Sequence, residues 1–388
     1  MRRNNKVTWV NFLHLYQPPW QEPGILEKVA IESYDYLLTL LEKYPKYRAS
    51  INISGSLLEQ LATVKPGILA RLQRLVRVRR IELVGTAYYH PILPLVSPQD
   101  AIRQIKLNQQ ALEKFFPDSM VSGFYLPEMA YSLPVAKLVK KLGYQWLILD
   151  PIHYVGQIDK NIQYLLKNTG LKIIFRDRAI SKSYPPRIIF DFLEKNKKQT
   201  FISATDAEIY GHWHEDKQGF IEKLMFVERL EILTVSQYLN KLKKTEVINL
   251  RPASWESTLS EIKGKNFYSL WANPKNKIHR LLWDLLHLAS RLVAKYSQDA
   301  NIFWARQHLE RGLSSCTFWW ASARRPSPFS SLTWNPDMID KGAKELVLSV
   351  RSLARAKSPE KVRAEELYLA IQKETWFKHW YKFNKFFD

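Results

Sequence analysis

The sequence is short of acid and almost without cysteine, and each shortage narrows what the protein can be. Against 58 Lys and Arg stand 37 Asp and Glu, a formal charge of +21 over 388 residues. That balance suits contact with a polyanion or a solvated lysine-rich surface, and it promotes nonspecific attraction to nucleic acid or anionic membrane. No zinc-finger spacing, RNA-binding aromatic motif or basic tail accompanies the charge. The densest basic stretch, RLQRLVRVRRIE at 71–82, sets Arg71, Arg74 and Arg77 at helical spacing with apolar residues between them, the pattern of a solvated helix face. Cys316 is the single cysteine, so an intrachain disulfide framework and a cysteine metal cage are both excluded. Nothing reaches the roughly 18 apolar residues that span a bilayer. The first apolar run, VTWVNFLHLY, is interrupted by Asn11 and His14 and stopped by Pro18 and Pro19. No small-residue cleavage site follows, so the run reads as a first strand rather than a signal peptide, and the cytoplasm is the simplest location. GxGxxG, GxxxxGK[ST] and HExxH are all missing, Ser54-Gly55-Ser56 is too generic for a nucleophile elbow, and no Ser-His-Asp arrangement is recognisable.

What is abundant is aromatic: 13 Trp, 19 Tyr and 18 Phe, within a hydrophobic fraction of 46%. Such residues build cores and also stack on flat ligand faces, including those of sugars. Through the first two thirds, short β-rich runs alternate with helical stretches. VTWVNFLHL, YRASINIS, RIELVGTAYYHP, MVSGFYLP, YQWLILD, LKIIFRD, QTFISATD and TEVINLRPAS are strand candidates, while IESYDYLLTLLEKYPK, PQDAIRQIKLNQQALEKFF and GFIEKLMFVERLE read as helices. The rhythm predicts an α/β fold with repeated crossovers, a barrel. After about residue 258 the chain becomes Leu- and Ala-rich and helical. The expected organisation is a catalytic barrel over 1–258 and a helical domain over 259–388, with a proline-rich surface loop at 326–342.

Active groups of α/β folds gather at the carboxyl ends of strands. His14 and Gln17 follow the first strand candidate here, and Tyr88, Tyr89 and His90 the third. Glu128 follows the fourth, Asp150 and His153 the fifth, Arg176 and Asp177 the sixth. Asp206, Glu208, His212, Trp213 and His214 follow FISATD, and Arg251 and Trp255 follow EVINL. Each has a bland reading. Glu128 suits a helix start, where negative charge is favourable, and Thr205 or Asp206 suits an N-cap. Two carboxylates facing one cleft would instead permit glycosyl transfer, with retention at a separation of about 5–5.5 Å and inversion at about 6.5–9.5 Å. His14, His90, His212 and His214 with Asp206 are conceivable metal ligands, but no compact His/Asp set is present, and neutral histidines bonded to sugar hydroxyls are the preferred reading. His279, His287 and His308 lie in helical context as structural or surface residues.

Taken together these stretches resemble glycoside hydrolase family 57, the α-glucan-active family of amylases, branching enzymes, glucanotransferases and amylopullulanases. HLYQPP resembles its first signature, HxHQP, with Tyr16 in place of the second histidine. GTAYYHPILPL resembles the second region and GFYLPEMAY the third, whose glutamate, here Glu128, is the family nucleophile. TDAEIYGHW resembles the fourth, whose aspartate, here Asp206, is the general acid/base; Ala207 replaces the usual glycine and Glu208 is retained. The fifth region departs: HLERGLSSCTFWWASA places Cys316 where several members carry a substrate-contacting aspartate, with Trp319 and Trp320 beside it as an aromatic platform. The matches run in family order over roughly residues 7–320.

The resemblance implies an irregular (β/α)7 barrel followed by a helical domain, and a retaining mechanism on α-linked glucans through a covalent glycosyl-enzyme, with no metal and no organic cofactor. It implies an α-glucan or oligosaccharide partner, with no specific nucleic-acid partner and no membrane. His14, Gln17, Tyr88, Tyr89, His90, His212, Trp213, Trp255, Trp319 and Trp320 are the candidate substrate contacts, each aromatic having core packing as its rival. Two other functions stay open: a metal-dependent carbohydrate deacetylase, and a glucan-binding protein impaired in turnover. Whether water or a sugar hydroxyl is the acceptor is not legible.

Overall fold

The structure, a computed structural model, describes residues 6–193, 199–325 and 332–383. It separates into two compact units: 1–17, 21–88 and 105–251 form the first, and 18–20, 89–104 and 252–388 the second. The expected boundary at 258 thus lies beside one at 251, and two short earlier segments group with the helical part, which residue composition does not reveal.

The first unit is built on one sheet of ten strands: β1 (Val7–Leu15), β2 (Ala49–Ile53), β3 (Ile81–Gly85), β4 (Gly123–Phe124), β5 (Trp146–Leu149), β6 (Ile162–Leu166), β7 (Lys172–Phe175), β8 (Thr200–Asp206), β9 (Leu230–Leu233) and β10 (Lys244–Ile248). Seven of them follow the parallel path β7-β5-β4-β3-β2-β1-β8. These are the strands of the half-open barrel. The other three are additions: β6 pairs antiparallel with β7, β10 pairs with β6, and β9 pairs with β1. β6 and β9 are absent from the strand candidates read from sequence. Leu230 and Glu231 of β9 fall within the helix expected over GFIEKLMFVERLE, which stops at Met225.

Parallel strands with crossover helices on their faces are buried on both sides and read as continuous apolar runs rather than alternating ones. β2 and β5 follow this rule throughout, and β1 at every position except the half-buried Thr8. The core beneath includes Trp9, Leu13, Tyr47, Ile51, Leu57, Leu61 and Phe201, each aliphatic side chain contributing about 1.5–3 kcal/mol by burial. Gly123 is required in β4 because the indole of its register partner Trp146 occupies the space of a Cβ.

The gap between β7 and β8 is bridged by polar contacts. The Asp177 N–H donates to the Ile202 carbonyl at 2.7 Å, and Arg176 donates to the Ala204 carbonyl at 3.1 Å. Arg176 is itself paired, Nε to Asp150 Oδ2 at 2.8 Å, with both side chains buried. Arg178 lies 3.6 Å from the same oxygen. This ion pair ties the end of β5 to the closing edge.

The stretch IESYDYLLTLLEKYPK is not one regular helix. A π-helical turn over Ala30–Asp35 precedes the α-helix Tyr36–Lys43. Arg71 and Arg74 of the helix Pro66–Arg77 pair with Glu42, and Arg71 also with Asp35. Part of the basic face is therefore neutralised by the neighbouring helix.

The second unit packs the helices Lys277–Lys295, Ile302–Gly312, Ser315–Ala321, Pro336–Ser352 and Ser358–Lys378. Apolar residues at i, i+3 and i+4, such as Leu282, Leu285, Leu286 and Ala289, supply the buried stripe. The loop expected at 326–342 needs correction. Residues 326–331 lie outside the described residues, Thr333 and Trp334 are buried, and a helix begins at Pro336. Asn335 caps it by accepting from the Met338 N–H, and the proline sits in the first turn, where its missing N–H costs nothing. No helix among the described residues is long and apolar enough to cross a membrane.

Replacing Arg176 by Met leaves the buried Asp150 carboxylate with a weakened partner. The expected loss is about 3–5 kcal/mol of stability, read from urea unfolding of the purified chain; a change below about 1 kcal/mol, the size of an exposed pair, would show the ion pair to be dispensable.

Candidate active site

The site in the first unit begins with register. β1 lies between β2 and β8, and their parallel pairing sets His14 opposite Asn52 on one side and Asp206 on the other. All three fall at the carboxyl ends of their strands. The Asn52 amide donates to the carbonyls of Val84 and Gly85 at 3.3 and 3.4 Å, which turns its Oδ1 toward His14. His14 Nδ1 meets that oxygen at 2.5 Å and therefore carries the proton. Burial pushes the His14 pKa down to about 4 against the opposing effect of this hydrogen bond. The ring is a neutral imidazole at neutral pH, with Nε2 as the acceptor.

Tyr125, three residues before Glu128, packs on His14. Its N–H donates to the Gly85 carbonyl, its ring stacks on His14 at 4.5 Å between centroids and 30° between planes, and it also stacks on Phe12. Burial raises the pKa of its hydroxyl well above the ordinary value. The charges of Glu128 and Asp206 both add to the rise, and Arg176 opposes it. The phenol is therefore neutral within the field of both carboxylates. It lies inside GFYLPEMAY, yet nothing in the spacing separates it from a core tyrosine; only the fold does.

Glu128 occupies a short 3-10 turn, Pro127–Met129, directly after β4. The turn is not a regular helix start. Glu128 has φ 58° and ψ 18°, and Met129 has φ 48°. Two consecutive non-glycine residues in the left-handed region cost about 1–3 kcal/mol each. The neighbours Tyr125, Leu126, Pro127, Met129, Ala130 and Tyr131 are all buried, whereas Glu128 itself is half-buried.

Asp206 ends β8, and the loop that follows is held by the π-helical turn. Ser33 Oγ donates to the Ala207 carbonyl at 2.8 Å, Tyr34 OH donates to Glu208 Oε1 at 2.8 Å, and Glu32 Oε2 meets His212 Nδ1 at 2.6 Å. Gln17 Nε2 donates to the same Glu208 oxygen at 2.8 Å. Gly211, at φ 97°, passes against the Glu32 backbone where a Cβ would collide. Trp213 is 62% exposed, and its N–H donates to the Glu208 carbonyl. His214 packs on the Tyr184 ring at 4.3 Å.

Glu208 is the most perturbed acid here. Burial first, then the Asp206 charge, push its pKa up to about 8, against the donors Tyr34 and Gln17, which favour the ionised form. A carboxyl two residues from the proposed acid/base is thus half or more protonated at neutral pH. The repulsion between the two groups is mutual.

The other sequence candidates divide between the units. Tyr88 is in the first unit and is buried, its ring filling the space above Gly55. Tyr89, His90, Trp255, Trp319 and Trp320 are in the second unit. His90 is buried at φ 58°, with Nδ1 at 2.9 Å from Ser315 Oγ. The Tyr89 N–H donates to Gln104 Oε1 at 2.9 Å. Trp319 and Trp320 are half-buried, in edge contact at 4.5 Å and 78°. Cys316 is half-buried in the helix Ser315–Ala321, and Trp255 is half-buried. His279 is structural, as expected. Its Nε2 donates to the Phe318 carbonyl and its Nδ1 accepts from the Asn273 N–H. Among the described residues no group of three or more His, Cys, Asp or Glu gathers as metal ligands.

Comparison with known proteins places these motifs. Residues 7–251 match Glycosyl hydrolase family 57. An alpha-amylase of Pyrococcus horikoshii is 24% identical over 272 residues, covering 64% of this chain and 43% of that protein. The chain thus spans less than half the length of that curated relative. The crystal structure of a 4-alpha-glucanotransferase of Thermococcus litoralis superimposes with a TM-score of 0.74 at 17% identity, over 90% of this chain and 60% of that one. A branching enzyme of Pyrococcus horikoshii superimposes with a TM-score of 0.71 at 14% identity, over 96% of both chains. At such identities the structural likeness speaks for the fold.

The Glu208 environment has a sign that can be tested. Between pH about 4.5, the ordinary glutamate value, and pH about 8, the folded chain keeps a proton that the unfolded chain releases. Stability must fall as pH rises through that window. The melting temperature of the wild type is expected to drop relative to Glu208→Gln between pH 5 and pH 8, as followed by circular dichroism. Parallel curves for the two proteins would contradict the buried, protonated state.

Proposed function

Because the chain belongs to glycosyl hydrolase family 57, we propose that it is a retaining glycosidase or transglycosylase acting on α-linked glucans, with Glu128 as nucleophile and Asp206 as general acid/base. The observation that carries this reading is the placement of both acids at the carboxyl ends of parallel strands, Glu128 in the turn after β4 and Asp206 at the last position of β8. The two are remote in sequence, and the parallel path of the strands brings both ends to the same edge of the sheet.

In the first half-reaction a Glu128 oxygen attacks the anomeric carbon. The bond from that carbon to the glycosidic oxygen breaks, and Asp206 gives its proton to the departing oxygen. In the second half-reaction Asp206 takes a proton from water or from a sugar hydroxyl, the resulting oxygen attacks the same carbon, and the bond to Glu128 breaks. Two inversions return the α configuration. Neutral His14 offers Nε2 as an acceptor to a sugar hydroxyl, and the neutral Tyr125 phenol offers a donor. The exposed indole of Trp213 offers a flat face for a sugar ring. Tyr88, buried over Gly55, acts in this reading by shaping the strand end rather than by touching sugar. The contacts assigned to Tyr89, His90, Gln17, His212, Trp255, Trp319 and Trp320 belong to the same proposal. So does a cytoplasmic location, for which the single cysteine is the support.

The experiment is a Glu128→Gln variant assayed on maltooligosaccharides beside the wild type, with product anomers followed by proton NMR. Turnover is expected to fall by about 10³-fold or more, as for loss of a covalent nucleophile, and the wild-type product is expected to appear first as the α-anomer. Near-wild-type turnover in Glu128→Gln would reject the assignment, and a β-anomeric first product would reject retention. Binding of maltooligosaccharide by a wild type that neither cleaves nor transfers would instead identify a glucan-binding protein.

A further inference from the structure

The strained turn that carries Glu128 is gripped by a histidine whose two ring nitrogens face the same kind of partner. His153 is fully buried in the short turn after β5. Its Nδ1 lies 2.8 Å from the Asp150 carbonyl oxygen, and its Nε2 lies 3.0 Å from the Met129 carbonyl oxygen. A carbonyl oxygen only accepts, so each nitrogen must donate. A neutral imidazole has one N–H and one lone pair, and only the imidazolium has two N–H groups. In the neutral ring one lone pair would point at a carbonyl lone pair in a site without solvent. His279 shows the contrast within the same chain. One of its nitrogens meets a carbonyl and the other a backbone N–H, the arrangement of a neutral ring.

We propose that His153 is a positioning residue for Glu128, held as an imidazolium whose two N–H groups clamp the carbonyls of Asp150 and Met129. Met129 is the second of the two consecutive left-handed residues, so the bond to its carbonyl holds the peptide unit that leaves the strained pair, one residue beyond Glu128. The bonds from Met129 N–H to the Leu126 carbonyl and from Ala130 N–H to the Pro127 carbonyl are local to the turn. His153 ties it through the Asp150 turn to β5.

The charged groups nearest the imidazole are one carboxylate and three guanidinium groups, so the two carbonyl acceptors, rather than the local charge balance, are what favour the cation. Asp150 supplies a buried carboxylate three residues away, and its side chain caps the turn by accepting from the Ile152 N–H. Arg176 and Arg178 pair with that carboxylate and compete for it. Arg251 approaches through its backbone N–H to the His153 carbonyl and its Nε to the Ile152 carbonyl. Tyr131 presents its ring at 86° to the imidazole.

The clamp concerns a backbone conformation and stands whether or not Glu128 is the nucleophile; its catalytic consequence rests on the function proposed above. Two measurements on the full chain separate these. Long-range proton–nitrogen correlation NMR of the uniformly ¹⁵N-labelled wild type reads the protonation of all 9 histidines. One histidine is expected to keep two protonated ring nitrogens at pH 8, and that signal is expected to vanish in His153→Gln. If every histidine shows an unprotonated ring nitrogen at pH 8, the imidazolium is overturned without recourse to any variant. In the assay, His153→Gln is expected to lower kcat by roughly 10- to 100-fold, the effect of displacing a reacting group by about 1 Å, with KM little changed. Unaltered kcat in a folded His153→Gln variant overturns the positioning role. A catalytically silent wild type with the imidazolium signal present counts against the proposed function and leaves the clamp in place.

Discussion

The parallel register of β1 between β2 and β8 is the constraint on which the rest of the site depends. It sets His14 across from Asn52 and Asp206. A shift of one residue would send each of these side chains to the other face of the sheet. Because β1 is buried along both faces, the register is secured by the whole strand and not by the polar residues at its end. The end can then be given to chemistry. Asn52 fixes the tautomer of His14, His14 supports the ring of Tyr125, and the Tyr125 hydroxyl feels both Glu128 and Asp206.

Around this line the protein concentrates its local departures from ordinary geometry. Glu128 and Met129 sit in the left-handed region, and the helix before β2 opens into a π-helical turn. A buried carboxyl, Glu208, is held protonated to about pH 8. Each departure is supported from a different element: the turn at Glu128 from the end of β5, and the loop after β8 from residues 32–34 and Gln17. The support comes from elements whose own cores are continuous and apolar, as a preorganised site requires.

Much of this was legible in the sequence because parallel strands announce themselves as continuous apolar runs, and polar residues after such runs mark strand ends. VTWVNFLHL, YQWLILD and QTFISATD are β-strands where expected, and the residues following them are the ones that gather. β9 was not legible, since LEIL follows a helix without a turn signal and its charged Glu231 mimics helical spacing. The start of the helix Pro336–Ser352 was misread because proline marks both loops and first helical turns, and only the Asn335 cap decides between them. Asn52, Tyr34 and Tyr125 were missed for a different reason. A polar or aromatic residue inside a buried strand or helix has the same appearance whether it packs or acts, and its partners lie 32 to 174 positions away. The grouping of residues 89–104 with the second unit is likewise a property of contacts, not of composition.

The π-helical turn at Ala30–Asp35 has a bearing on how this protein can diverge. The turn spends one extra residue to present Glu32, Ser33 and Tyr34 in succession to the loop 207–212. Three neighbours on a regular helix point about 100° apart, and the wider π-helical turn narrows that angle. Substitutions along this segment can be absorbed one at a time, but loss or gain of a single residue would unhook all three contacts together. Variation in length should therefore be excluded from residues 30–35, even though the segment is remote in sequence from the acids it serves and contains neither of them.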